Sequence, residues 1–190
     1  MRAVQIISKI ISNILTALYQ PFWFSVILSA LFMFLYKTYP SGRQAAKDWI
    51  SWFRSDAKFR RTFFLVFYTV MILFRTLLNR NMWANPVSDV IGSWGIYNAK
   101  GEFTTECIEN LALFIPFTIL LIWTDKERII PRMTIQSVLW NATKVTFLFS
   151  FAIEMLQLFL RLGTWQLSDL FYNTVGGVIG GFIYSILVIK

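Results

Sequence analysis

Five apolar runs limit what this chain can fold into. Basic loops separate them, and they cover residues 21–36, 62–78, 107–123, 139–160 and 171–189. A helix needs about 20 apolar residues to cross the hydrocarbon layer of a membrane. A soluble domain of 190 residues has no interior for a composition that is 56% hydrophobic, so lipid must solvate part of the surface. We therefore expect an all-α, polytopic membrane helix bundle with about five transmembrane helices.

Residues 3–19 predict a helix of another kind. Their apolar side chains recur at helical spacing, and polar side chains fill the opposite face. This pattern is typical of an amphipathic helix that lies in the interface between lipid and water. Because Lys9 interrupts the apolar residues and no small-residue cleavage site follows, we do not expect a cleaved signal peptide.

Lysine and arginine are distributed unequally between the loops. Residues 37–61 and 125–144 carry eleven of them, whereas residues 75–109 and 161–171 carry four. Cytoplasmic loops of membrane proteins hold the excess of basic residues. We therefore expect a multi-pass plasma-membrane protein with a cytoplasmic C-terminus. Five spans would place the N-terminus outside, and a six-segment arrangement with the N-terminus inside stays open.

The composition also excludes several kinds of chemistry. The chain has no histidine and a single cysteine, Cys107. Without histidine there is no Ser-His-Asp triad and no imidazole metal site. We therefore expect no metal and no cofactor. The net charge of +8 reflects membrane orientation, so we expect no nucleic-acid partner.

Polar residues at the ends of the spans are the candidate site. A charged side chain within the bilayer costs about 3 kcal/mol or more, so these residues indicate either a site or a helix contact. Topology gathers nine of them at the outer ends of spans two to five: Arg75, Arg80, Glu109, Asn110, Glu154, Gln157, Arg161, Asp169 and Asn173.

Two interpretations of this cluster stay open. In one, Glu154 pairs with Arg75 or Arg161, and the amides only bind helices together. In the other, the cluster forms an outer-leaflet pocket. We favour the pocket, because two carboxylates, an amide pair and an arginine at one depth exceed what helix association needs. For the glycines of the last span we expect close helix packing; they are Gly176, Gly177, Gly180 and Gly181.

Three segments resemble a known family. They are Glu109–Phe117 with its Asn and Ile-Pro-Phe, Glu154–Gly181 with its Asn-Thr-x-Gly-Gly, and the loop Asn85–Gly95. Together they are similar to the VanZ-like (teicoplanin-resistance) family over about residues 62–189. The expected organisation is a four-helix VanZ-like domain at 62–190, preceded at 1–61 by the amphipathic helix, the first span and a basic cytoplasmic loop. Many members carry an acidic residue where this chain has Gln166.

The resemblance implies a link to resistance against lipoglycopeptide antibiotics, which act on lipid-linked cell-wall precursors outside the membrane. Our leading hypothesis is a cell-envelope protein whose outer-leaflet pocket binds a membrane lipid or such a precursor and so acts on the antibiotic indirectly. Arg75 and Arg80 would meet a phosphate or carboxylate. An enzyme that modifies a lipid headgroup, with Glu154 and Asp169 as catalytic acid and base, stays open. So does a structural subunit without ligand, and the sequence leaves the oligomeric state open.

Overall fold

The structure, a computed structural model, describes residues 3–36, 42–82, 84–97 and 103–189. Within these ranges the chain is helical and contains no β-strand. The helices are α1 (Ala3–Tyr19), α2 (Phe22–Tyr36), α3 (Gly42–Ser55), α4 (Ala57–Leu73, continued as a π-helix over Phe74–Leu78), α5 (Glu106–Ile129), α6 (Ile135–Leu160) and α7 (Leu167–Val188). The expectation of an all-α helix bundle is confirmed.

Four helices are long and apolar enough to cross a membrane. They are α4 with its π-helical continuation, α5, α6 and α7, and each has between 22 and 26 residues. Each overlaps one of the predicted spans: α4, α6 and α7 begin four or five residues before it, α5 begins one residue before it, and α7 ends one residue short of it. The first predicted span is α2, which has 15 residues and is about 22 Å long. This is shorter than the roughly 30 Å of a bilayer core, so α2 does not meet the length of a crossing helix by itself.

Helix α7 packs against both α5 and α6 through its glycines. A Cβ atom on Gly180 would lie 2.4 Å from the backbone carbonyl oxygen of Ile115 in α5. A Cβ atom on Gly177 would lie 2.1 Å from the hydroxyl oxygen of Thr146 in α6. The close packing predicted for this glycine-rich span is therefore confirmed. The glycines on these two faces are Gly176, Gly177, Gly180 and Gly181.

An apolar core fixes α4, α5 and α6 at a common level. Met71 and Ile72 of α4 meet Phe114 and Phe117 of α5, and Ile153 of α6 completes the cluster. All five side chains are buried. Because the core lies just below the last turns of α4 and α6, it determines which polar residues meet at the end of the bundle.

At the opposite end, the basic helix α3 is fastened to α4. Asp56 lies between them, and its side chain accepts hydrogen bonds from the first backbone amides of α4. Arg60 donates to the carbonyl oxygens of Phe53 and Arg54 in the last turn of α3. Trp49 stacks on Phe53 at 5.3 Å between ring centroids. The C-terminal end of α3 and the N-terminal end of α4 are thus both capped by hydrogen bonds, and the chain turns sharply at Asp56 between them.

Candidate functional site

A polar cavity lies at the end of the bundle where α4 and α6 finish and α5 and α7 begin. Its volume is about 720 Å³, which is within the range of small-molecule sites. Hydroxyl, amide and charged side chains form most of its wall. The charged members are Lys9, Arg75, Arg80, Asp89, Glu106, Glu109 and Asp169. The structure therefore brings five of the nine predicted residues to one cavity: Arg75, Arg80, Glu109, Asn110 and Asp169.

One wall of the cavity is a hydrogen-bonded cluster around Glu109. This carboxylate forms an ion pair with Arg75 and accepts a hydrogen bond from the Thr105 hydroxyl. It also accepts one from Asn13 of α1 at 3.0 Å. Arg75 lies on the π-helical continuation of α4, a backbone form that is frequent at functional sites. The charge of Arg75 is therefore already balanced before any ligand enters.

A second wall is formed by Asp169 and Asn110. The Asn110 side chain donates to Asp169 Oδ1 at 2.7 Å, which joins the first turns of α5 and α7. Asp169 is 8% exposed and forms no ion pair with any residue in the described ranges. The free N–H groups at the start of α7 stabilise a carboxylate in this position. Asp169 can accept from a hydroxyl or amine that enters the cavity.

Arg80 is an exposed cation on the cavity wall. Within the part of the chain that the structure describes, its guanidinium makes no hydrogen bond and no ion pair. It lies beside Gly163, whose φ of +83° places the backbone in the left-handed region. A Cβ atom at that position would lie 3.5 Å from Arg80 Nη1, an ordinary contact, so the positive φ and not a lack of space favours glycine here.

The loop from 84 to 97 folds over the cavity and pairs with the α6–α7 connection. Trp165 and Leu167 donate their backbone N–H groups to the carbonyl oxygens of Pro86 and Val90, both at 2.8 Å. Gly92 has a φ of +72°, and a Cβ atom there would lie 2.0 Å from a side-chain oxygen at the start of α7. This close approach requires glycine. The loop is thus a fitted cover and not a loose connection.

Gln166 lies in the cavity wall. Its side chain donates to Asp89 at 3.2 Å and to Thr164 at 3.1 Å. Its backbone N–H donates to Glu154 Oε2 at 3.0 Å. Gln166 therefore connects the loop 84–97, the cavity wall and the buried carboxylate of Glu154.

Three predicted site residues lie beneath the cavity and do not line it. Glu154 is 2% exposed and bonds to the connection above it. Gln157 donates to the backbone carbonyl of Thr76 at 2.7 Å, and Asn173 donates to Ser150 at 2.9 Å. These bonds join α6 to α4 and to α7, so the geometry gives the two amides a helix-binding role.

The structure also decides between the pairings considered for the arginines. The expected alternative of an ion pair between Glu154 and Arg75 or Arg161 is wrong, because Arg75 pairs with Glu109. Arg161 ends α6 in the left-handed conformation with φ 55°, is exposed and lies outside the cavity wall.

Sequence reasoning missed most of the polar residues that complete the cavity. They come from α1, from the covering loop, from the start of α5 and from the α6–α7 connection: Lys9, Asn13, Ser88, Asp89, Ser93, Thr104, Thr105, Glu106, Thr164 and Gln166. Two signals pointed to some of them: the polar face of α1, which the sequence analysis placed in the interface between lipid and water, and the loop Asn85–Gly95, which it singled out for a family resemblance. Among the described residues no group of three or more acidic or cysteine side chains has the arrangement of a metal site.

Comparison with known proteins agrees with this architecture. The VanZ/LLP1 family matches residues 22–188. The match begins at α2 and so includes the first predicted span, which the sequence analysis treated as an addition to the family; the division at residue 62 stays a prediction. Protein VanZ of Enterococcus faecium is 32% identical over 91 residues, which cover 47% of this chain and 50% of that protein.

The matched segment thus spans half the length of this curated relative. No solved structure matches the chain. The family match extends over α2 to α7, including the four helices that are long and apolar enough for a membrane. The chain is therefore a membrane protein and belongs to the VanZ/LLP1 family.

Proposed function

We propose that the polar cavity binds the headgroup of a lipid or of a lipid-linked cell-wall precursor in the outer leaflet, and that this binding lowers the effect of lipoglycopeptides such as teicoplanin. The cavity itself is the main support. It is large, polar and placed at the end of a membrane bundle, and its wall includes an exposed cation, Arg80, that forms no hydrogen bond and no ion pair within the described residues.

The charges of the cavity favour an anionic headgroup that also carries hydroxyl or amine groups. Arg80 and Lys9 can bind a phosphate or carboxylate, since Arg75 is already paired. Asp169 and Asn110 on the facing wall can accept from and donate to a hydroxyl or amine. A headgroup with both features would satisfy both walls at once.

The enzymatic alternative depends on Asp169. Glu154 does not line the cavity, and the backbone of Gln166 separates it from the space a headgroup would occupy. A direct acid–base pair of Glu154 and Asp169 would need Glu154 within hydrogen-bond reach of the substrate. We therefore favour binding over catalysis.

Arg80→Gln tests the proposal, with Arg161→Gln as the matched control. Both arginines are exposed near the same end of the bundle, but only Arg80 lines the cavity. We expect Arg80→Gln to lose the anionic lipid that co-purifies with the wild type and to weaken its binding roughly tenfold or more, because a charge-assisted hydrogen bond is removed. Mass spectrometry of extracted lipids and teicoplanin susceptibility are the measurements.

Arg161→Gln should keep the lipid and the wild-type susceptibility. If both variants retain the same lipid, the cavity is not its binding site. If both lose it equally, a general loss of positive charge explains the result, and the proposed role of Arg80 is wrong.

The outer location of the cavity is a separate prediction. Single cysteines at Ser88, on the cavity wall, and at Ser55, at the end of α3, are introduced into a Cys107→Ser background. Both positions are exposed, so a membrane-impermeant thiol reagent can reach whichever lies outside. In intact cells we expect labelling at position 88 and not at 55. The reverse pattern would place the cavity in the cytoplasm and exclude an outer-leaflet ligand.

A further inference from the structure

An apolar crevice lies beside the polar cavity, between α1, α4 and α5. It has a volume of about 130 Å³, and its apolar lining is Ile14, Leu18, Tyr68, Ala112, Leu113 and Pro116. Two charged residues, Arg75 and Glu109, also line it. Because the same two residues line the polar cavity, the apolar and polar spaces meet at this ion pair.

The outer wall of the crevice is α1, the amphipathic helix. Two of its polar side chains turn toward the cavity: Lys9 lies 5.1 Å from the centre of the Phe103 ring, and Asn13 donates to Thr105 at 2.8 Å and to Glu109. Its opposite side exposes apolar residues: Val4, Ile7, Ile11 and Leu15. A helix with this division lies in the membrane surface with its apolar side in lipid. The crevice is therefore next to the bilayer.

Helix α1 meets the bundle at the junction of the two spaces. The Asn13 amide bonds to Glu109, which pairs with Arg75, so one hydrogen bond joins α1 to the ion pair between cavity and crevice. Leu18, further along α1, packs against the apolar core of α4 and α5. A molecule that passes from the bilayer into the cavity beneath α1 would cross this junction.

We propose that the ligand is an anionic amphiphile that enters the cavity from the bilayer between α1 and α5. Its charged group lies by Arg80, and the start of its hydrocarbon chain lies in the crevice. This inference rests on the proposed function and adds to it the route by which the molecule enters and the place where its chain begins. A soluble ligand would use only the polar cavity, whereas a polar and an apolar space that share the Arg75–Glu109 ion pair as a common wall fit a molecule with both parts.

Ala112→Phe tests the crevice, because Ala112 lines it and does not line the polar cavity. Ala152→Phe is the matched control, since it adds the same volume on an exposed side of α6. The probes are dioleoyl phosphatidic acid and glycerol 3-phosphate, and native mass spectrometry of the detergent-solubilised protein measures binding. We expect Ala112→Phe to weaken lipid binding about tenfold or more by excluding chain methylenes, and to leave glycerol 3-phosphate binding unchanged.

Ala152→Phe should change neither affinity. Ile14→Phe, from the α1 wall of the same crevice, should repeat the effect of Ala112→Phe and serves in its place if that variant does not fold. The inference is wrong if a folded crevice variant binds the lipid as tightly as the wild type does, or if it loses affinity equally for both probes. In either case, binding that depends on Arg80 would still support the proposed function. A wild-type protein that binds neither probe overturns both.

Discussion

Gly180→Leu should lower the free energy of unfolding by about 3 kcal/mol or more, because its side chain would collide with backbone. The first added carbon would lie 2.4 Å from the Ile115 carbonyl oxygen, and a backbone atom cannot move aside as a side chain can. Helices α5 and α7 would have to separate along their shared surface. Thermal unfolding in detergent should show a midpoint lowered by roughly 5–10 °C.

The control is Phe182→Leu, two residues along α7 on an exposed side. It should leave the midpoint near that of the wild type, because Phe182 is exposed and belongs to neither buried apolar cluster. If the proposed function is right, the effect of Gly180→Leu on teicoplanin susceptibility should follow the loss of folded protein. A Gly180→Leu protein that stays fully stable yet inactive would mean that this glycine contacts the ligand and does not serve packing.

Glu109→Gln should also destabilise the protein strongly, because it leaves Arg75 without its carboxylate. Arg75 is 26% exposed and Glu109 10% exposed at their side chains, so water compensates only part of the lost pairing. Removing one partner of such a pair costs about 3 kcal/mol. Urea or thermal unfolding in detergent measures the change.

The double variant Glu109→Gln/Arg75→Met should recover most of this stability, since no unpaired charge remains. Asp169→Asn is the comparison, because Asp169 lies on the same cavity and has no ion pair within the described ranges. It should stay as stable as the wild type and lose lipid binding. If Arg75→Met fails to rescue Glu109→Gln, the pair is not what stabilises this wall.

The long helices could be predicted because lipid imposes one requirement on all of them: an apolar run long enough to cross it, with its backbone groups satisfied internally. The residues at which these helices begin could not be predicted. Helix α4 begins at Ala57 and not near residue 62, although Arg60 and Arg61 looked like loop residues. Both are helical, and Arg61 donates to the Trp123 carbonyl while its guanidinium lies over the Trp123 ring. Charged ends of long side chains can reach such partners from inside a helix.

The gathering of polar groups at one end could be predicted from topology, but their division between cavity and interior could not. Glu154 and Asp169 occupy similar levels, yet only Asp169 lines the cavity. That difference depends on how far α6 and α7 are rotated about their axes, which the packed core and the glycine contacts determine. The pairing of the loop 84–97 with the α6–α7 connection could not be predicted either. It is made by backbone N–H and C=O groups, which nearly all residue types carry, so the sequence gives no sign of it.

The position of α7 between α5 and α6 has a consequence for biosynthesis. Helices enter the bilayer individually and associate afterwards, and α7 is made after the two helices that it joins. Until it arrives, Asn110 lacks Asp169 and Ser150 lacks Asn173 as hydrogen-bond partners. The polar cavity can therefore form only after α7 has been inserted. A ribosome that stalls before residue 167 leaves α5 and α6 in the membrane without the helix whose glycines pack against them.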